Sequence, residues 1–111
     1  MSNLSVFAKV ILLAKERKME LLNEPLIDEF IEQNPRSKSP LTKWIKDIRE
    51  ADWKNFPELR KTCPSADYVA PYVIFNIGGN KFRMVVVVFF SEERVRVERI
   101  MTHKQYDRWR P

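Results

Sequence analysis

The feature that most constrains the fold is a β-rich stretch that is broken once, by the only two glycines in the chain. Residues 72–77 and 81–90 consist largely of β-branched and aromatic residues, and Gly78-Gly79 lie between them. Two such runs joined by a glycine pair are typical of an antiparallel hairpin, because glycine tolerates the backbone of tight hairpin turns. The sequence therefore predicts paired strands over 72–77 and 81–90.

The predicted register sorts the hairpin into an apolar and a polar face. A two-residue loop at Gly78-Gly79 places Ile74 opposite Arg83. Because side chains alternate between faces, Asn76, Lys81 and Arg83 then share one face. The other face is apolar and carries Val73, Phe75, Phe82, Met84, Val86, Val88 and Phe90. A slip of one residue would mix the two sets.

A third antiparallel strand is predicted over 95–101. If Phe90 lies opposite Val95, Arg83 lies opposite Thr102, and the strand ends beside Arg83. The same register adds two charged residues to the polar face, Arg96 and Glu98. Beyond the strand, Thr102 is expected to cap a last short helix that begins at His103.

Helices are predicted before the sheet. A short strand over 19–22 is followed by a helix that Asn23 caps and Pro35 ends. Ser39 is the predicted N-cap of a second helix, with Pro40 in its first turn. The apolar faces of the two helices comprise Leu26, Ile27, Phe30, Ile31, Leu41, Trp44, Ile45 and Ile48. A helical turn plus loop then places Trp53, Phe56 and Leu59 under the sheet.

These patterns predict an α+β fold, with N-terminal helices packed on one face of a small antiparallel sheet. The chain has 111 residues, which suits one domain, assigned to residues 19–111. Residues 1–18 are an extension that is either helical, over 6–14, or the result of a start assigned too early. A single cysteine excludes an internal disulfide, and no apolar run approaches the ~20 residues of a membrane span, so the protein is expected to be cytoplasmic, with no membrane partner.

The positive net charge of +5 favours a polyanionic partner, either nucleic acid or an acidic protein. Lys43, Lys46 and Arg49 recur at a spacing of three on the second helix and form a cationic ridge. Such a ridge is more often a solvated helix face than an anion-binding surface, and both interpretations stay open at this point.

The polar end of the hairpin is the best candidate site, because Asn76, Lys81, Arg83, His103 and Tyr106 converge there. Arginine and lysine bind phosphate and neutralise charge that develops on it, and imidazole transfers protons near neutral pH. This combination suits phosphodiester chemistry. His103 is the only histidine, so a two-histidine acid–base pair is excluded, and a surface or capping role for it is the alternative. No metal or other cofactor is expected, and Cys63 is interpreted as inert.

Four ordered segments make the chain resemble the HigB group of RelE-like bacterial toxins. They are residues 51–56 (Ala-Asp-Trp-Lys-Asn-Phe), 64–67 (Pro-Ser-Ala-Asp), 75–83 (Phe-Asn-Ile-Gly-Gly-Asn-Lys-Phe-Arg) and 102–107 (Thr-His-Lys-Gln-Tyr-Asp). The resemblance implies a type II toxin that cleaves mRNA on the ribosome and is silenced by a HigA-like antitoxin with a helix-turn-helix domain. It also implies metal-free attack of the ribose 2′-OH on the adjacent phosphate, which leaves a 2′,3′-cyclic phosphate and a 5′-OH.

The resemblance also assigns roles to residues. By position, Arg83 matches the strand arginine aimed at the scissile phosphate and His103 matches the proton-transfer position, with Lys81 and Tyr106 as weaker catalytic candidates. The RNA-binding candidates are Asn76, Asn80, Lys43, Lys46, Arg49 and Lys54. Two alternatives remain: a ParE-like toxin that shares the fold but poisons a protein target, and an RNA- or ribosome-binding module without catalysis.

Overall fold

The structure is a computed structural model that describes residues 19–109. Within these residues the chain forms helices α1 to α4, one 3₁₀ turn and strands β1 to β5. In order they are β1 (Glu20–Leu22), α1 (Pro25–Gln33), the 3₁₀ turn (Pro35–Ser37), α2 (Lys38–Glu50), α3 (Phe56–Thr62), β2 (Asp67–Val69), β3 (Tyr72–Ile77), β4 (Phe82–Phe89), β5 (Arg94–Thr102) and α4 (His103–Trp109). The predicted α+β class is confirmed, whereas the extension 1–18 lies outside the described residues.

The five strands form one sheet in the order β1-β5-β4-β3-β2. Strands β2 to β5 are an antiparallel meander, and β1 joins the edge of β5 in parallel, with Leu21 opposite Val95. The sheet is therefore mixed and not purely antiparallel as predicted. The short edge strand β2 was not predicted, since three residues after a proline-containing loop carry little periodic signal.

The hairpin between β3 and β4 has the predicted faces but a different register. Asn76 lies opposite Arg83, so the loop has four residues, 78–81, and Lys81 belongs to the turn rather than to the strand. The predicted pairing of Ile74 with Arg83 is therefore wrong by two residues. Gly78 and Gly79 have φ of +62° and +69°, the left-handed backbone that favours glycine.

The observed pairing of β4 with β5 differs from the predicted one and contains a β-bulge. Val86 lies opposite Val97 and Val85 opposite Arg99, so Glu98 has no partner in β4. Val88, and not Phe90, lies opposite Val95, and this shift of two residues together with the bulge sets Arg83 opposite Met101 rather than Thr102. One extra residue inverts the alternation of side chains, which moves Arg99 and Met101 to the face that carries Arg83.

The helices α1, α2 and α3 cover the apolar face of the sheet. Phe75 is at the centre of this layer: its ring makes an edge contact with Trp44, at 5.5 Å between centroids, and stacks on Trp53 at 6.5 Å. Leu41, Ile48 and Leu59 are fully buried, as the predicted apolar faces require. We call this side of the sheet the helix-covered face.

Two predicted helix caps are wrong. Asn23 adopts a left-handed φ of +70° and donates its side-chain amide to the Val97 carbonyl at 3.0 Å, so it ties the chain to β5 and does not cap α1. Helix α2 begins at Lys38, which places Ser39 inside the helix. Pro40 lies in the first turn, as predicted, where it has no helical hydrogen bond to lose.

The other face, called here the α4 face, carries a smaller apolar cluster. Ile74, Val85 and Met101 are buried there, packed against side chains that include Tyr106 and Trp109 of α4. Within residues 19–109, no helix combines the length and apolar character that a membrane span requires.

Candidate active site

Arg83 is buried on the α4 face, with 8% of its surface exposed. Its guanidinium donates from Nη1 to the Phe82 carbonyl at 3.1 Å and from Nη2 to Oδ1 of Asn80 at 2.5 Å. A buried charge is costly unless hydrogen bonds compensate it, and neither partner carries a negative charge. The positive charge of Arg83 is therefore held in place without being neutralised by these contacts, which suits the binding of an anion.

His103 begins α4 and lies directly beside this guanidinium. Its backbone N–H donates to the Lys81 carbonyl at 3.0 Å, which joins the start of α4 to the hairpin turn. Thr102 caps the helix as predicted: its Oγ1 accepts from the Gln105 N–H at 3.1 Å, and its own N–H donates to Oε1 of Gln105 at 3.0 Å. These bonds hold His103 at the junction of β5, α4 and the turn.

The two ring nitrogens of His103 have different neighbours. Nη2 of Arg83 is 3.1 Å from Nδ1 of His103. Because a guanidinium is always a donor, Nδ1 is the acceptor when this contact is a hydrogen bond. Nε2 lies 3.5 Å from a carboxylate oxygen of Asp107, four residues along α4. The side chain of His103 is 46% exposed, so the ring can be reached from solvent.

The ring of Tyr106 also contacts the guanidinium of Arg83. The Arg83 guanidinium carbon lies 5.5 Å from the centroid of the Tyr106 ring, a cation–π distance. Arg83 is therefore fixed by a carbonyl, an amide, an imidazole and an aromatic ring. This fixed orientation reduces the reorganisation that binding of a charged ligand would require.

The remaining predicted residues of the hairpin end are more exposed. Asn76 lies opposite Arg83 in the strand ladder, with its side chain exposed. Lys81 lies in the turn, and its side chain is exposed while its carbonyl is bound by His103. Among the described residues, neither of these two side chains hydrogen-bonds to Arg83 or His103, although both lie at the same end of the hairpin.

The predicted ridge on α2 belongs to the helix layer, away from the face of Arg83. Lys43 forms an ion pair with Asp47 at 2.8 Å, one turn further along the helix. The hydrogen bond to Asp47 raises the pKa of Lys43. Lys46, between them, is exposed.

Two further candidates are also paired with acidic side chains. Arg49 contacts Glu24 at 2.7 Å, and Lys54 contacts Asp52 at 3.2 Å. The hydrogen bond to Asp52 raises the pKa of Lys54. Pairing reduces the net field of these cations, so the helix layer is a weaker anion-binding surface than its sequence indicates.

Neither thiol chemistry nor a clustered metal site is supported within residues 19–109. Burial raises the pKa of the Cys63 thiol and so disfavours its thiolate. Among the residues that the structure describes, no group of three or more His, Cys, Asp or Glu side chains is placed to hold a metal ion.

Arg99 was not predicted as a site residue. The expected register of β5 placed it on the helix-covered face, whereas the bulge at Glu98 turns it to the α4 face. There its guanidinium lies 5.3 Å from the centroid of the Trp109 ring. The sequence could have revealed this error, because the predicted register buries Arg99 among Val86 and Val88, and an arginine is rarely buried without a partner.

Comparison with known proteins shows which family and which proteins this chain resembles. A family described as "HigB_toxin, RelE-like toxic component of a toxin-antitoxin system" matches residues 37–109. The chain is 32% identical to "mRNA interferase toxin HigB" of Escherichia coli (strain K12) over 92 residues, which cover 80% of this chain and 88% of that protein. It has the same identity and coverage to "mRNA interferase HigB" of Shigella flexneri. A second Escherichia coli protein of that name, from strain O6:H1, is 25% identical, with 81% and 90% covered.

Proposed function

Because this chain belongs to the HigB family of RelE-like toxins, the toxic components of toxin–antitoxin systems, we propose that it is an mRNA interferase that cleaves mRNA on the ribosome. The observation that carries the proposal is the contact between the buried Arg83 guanidinium and His103. A fixed cation beside a group that exchanges protons is what phosphodiester cleavage requires. The names of the relatives favour this activity over a ParE-like or non-catalytic role.

Arg83 is proposed to bind the scissile phosphate. As the 2′-OH attacks, negative charge grows on the non-bridging oxygens, and a guanidinium that is already oriented stabilises it. Tyr106 acts as a positioning residue in this scheme, since its ring lies against the guanidinium without taking any of the N–H donors of Arg83. Asn76, Asn80 and Lys81 line the approach of the RNA.

His103 is proposed to transfer the proton. In the free protein its Nδ1 is occupied by the N–H of Arg83. A phosphate oxygen that takes this N–H releases the Nδ1 lone pair, which then accepts the proton of the attacking 2′-OH. Nε2 faces Asp107, which orients the ring. In-line attack places the departing 5′-oxygen on the opposite side of the phosphorus, so its proton comes from a second group, for which Lys81 beside the site is the candidate. The products are a 2′,3′-cyclic phosphate and a 5′-OH, and no step needs a metal ion.

The ribosome enters the proposal for a geometric reason. The residues above hold a phosphate and move protons, but none of them fixes the ribose, and in-line attack needs the 2′-OH opposite the leaving oxygen. A translating ribosome supplies that geometry, which places the toxin in the cytoplasm. We expect the protein partner of this toxin to be a HigA-like antitoxin with a helix-turn-helix domain.

The test compares wild type with His103→Gln on programmed ribosomes and on free mRNA, with the 5′ ends mapped. We expect the variant to lose about 10²–10⁴-fold in cleavage rate while it binds ribosomes as wild type does. Wild type should cleave free mRNA poorly. Equal cleavage by the two proteins removes His103 from the mechanism, and efficient cleavage of free mRNA removes the ribosome.

A further inference from the structure

A second cationic position lies next to the proposed active site on the α4 face. Arg83 faces Met101 across the ladder, and Arg99 is two residues before Met101 in β5. Diagonal neighbours of this kind lie ~7–8 Å apart on one face of a sheet. Arg83 and Arg99 are therefore adjacent cations, and a single polyanion reaches both.

Aromatic rings connect the two arginines. The Arg83 guanidinium lies over Tyr106, the Tyr106 and Trp109 centroids are 6.3 Å apart, and the Arg99 guanidinium lies 5.3 Å from the Trp109 centroid. Arginine and aromatic side chains alternate in this way on surfaces that bind single-stranded RNA, because both present flat faces on which bases stack. The series continues the active site along the sheet.

The space beside Arg99 is large enough for a nucleotide. An open cleft of about 440 Å³ lies beside β5 and α4 and is lined by Arg99, Ile100, Met101, Gln105, Arg108 and Trp109. Two of these residues are arginines, and among the described residues none of the cleft-lining side chains is acidic. Within the same part of the chain, Arg94 and Arg96 pair with Glu20 and Glu98, whereas no such pair involves Arg99 or Arg108.

We propose that this cleft, called here the flanking subsite, binds a nucleotide of the RNA strand next to the cleaved linkage. Arg99 and Arg108 contact its phosphate, and its base stacks on the Arg99 guanidinium, whose other side rests on Trp109. The inference rests on the proposed function for the identity of the strand. It adds a reason for affinity that the hairpin residues do not provide, since Arg83 is engaged with the reacting phosphate.

The experiment measures binding of an oligoribonucleotide methylated at every 2′-oxygen, which lacks the attacking group and stays intact. Fluorescence anisotropy over a salt series compares wild type, Arg99→Gln and the matched control Arg94→Gln, which removes an arginine from the other end of β5. We expect Arg99→Gln to bind about tenfold more weakly, with a salt slope shallower by about one. Arg94→Gln should behave as wild type. Arg99→Lys should restore the slope and only part of the affinity.

Three outcomes overturn the flanking subsite. The first is an unchanged affinity and slope for Arg99→Gln. The second is a loss confined to sedimentation with vacant ribosomes, which assigns the cleft to ribosomal RNA. The third is a loss confined to antitoxin binding, which assigns it to a protein.

Cleavage on programmed ribosomes separates this proposal from the proposed function. Arg99→Gln should raise KM with kcat nearly unchanged, because the residue binds RNA without touching the reacting atoms. A wild-type protein that cleaves no RNA defeats the proposed function, while the anisotropy series still reports on the cleft.

Discussion

Met84 and Arg83 are consecutive residues of β4, yet they lie in opposite environments. Met84 is completely buried between the sheet and the helices, while Arg83 points to the α4 face, where polar groups and the Tyr106 ring surround it. Within residues 19–109, three helices cover the first face and one seven-residue helix covers part of the second. The fold thus places most of the apolar packing on one side of the sheet and leaves the proposed site on the other side.

The comparison also explains how a small domain holds a buried cation. Burial of Arg83 opposes folding unless its donors are satisfied, and the α4 face meets this need with the turn residue Asn80, the Phe82 carbonyl and His103. The apolar packing on the helix-covered face supplies the stabilisation that tolerates such a site. Substitutions on the two faces should therefore have separable effects.

The largest effect is expected for Met84→Ala. A fully buried methionine reduced to alanine leaves a cavity, and such changes lower the free energy of unfolding by about 2–5 kcal/mol. Chemical denaturation measures the loss. Cleavage per folded molecule, measured at a temperature where the variant stays folded, should match wild type. A reduced rate per folded molecule would show that the two faces are coupled.

Arg83→Ala should produce the reverse result. Loss of a charged contact in the transition state lowers the cleavage rate by about 10²–10³-fold, which abolishes toxicity at ordinary expression levels. The circular dichroism spectrum and the melting transition check that the variant is folded. Arg83→Lys, which keeps the charge but not the planar fork, should recover part of the activity. An Arg83→Ala protein that arrests translation at the wild-type dose contradicts the site.

The sequence predicted the two faces better than it predicted the register. The hairpin loop has four residues instead of two, but a shift by two preserves the alternation, so Asn76 and Arg83 still share a face. The bulge at Glu98 shifts the next pairing by one residue and thereby reverses the side on which Arg99 lies. A register error of two residues therefore left the predicted face correct, whereas an error of one residue reversed it. The alternating valines and charged residues of β5 do not indicate where a bulge occurs.

The helices followed their apolar spacing closely, because burial of one face dominates over capping. Leu41, Trp44 and Ile48 are buried as predicted, although the expected cap, Ser39, lies inside the helix. The cationic ridge on α2 was predicted less well than the apolar faces. Its spacing along α2 was readable, and so was a partner for Lys43, because Asp47 follows it by four residues on the same helix face. The prediction of a cationic ridge overlooked this acidic residue.

The smallest effect is expected on the outer surface of the helix layer. Lys43→Glu combined with Lys46→Glu should weaken ribosome association a few-fold at low salt, because exposed phosphate contacts act through screened charge. Since Asp47 already neutralises part of the charge of Lys43, the change should be weaker than that of Arg99→Gln on oligonucleotide binding.

Sedimentation with ribosomes over a salt series measures the change in association, with Lys38→Glu plus Lys61→Glu as a control that reverses the same number of charges. The difference between the two proteins should vanish at high salt, and the cleavage rate of bound enzyme should be that of wild type. Unchanged association at low salt makes the ridge a solvated surface, whereas a slower rate in the bound state would assign part of the chemistry to the helix layer.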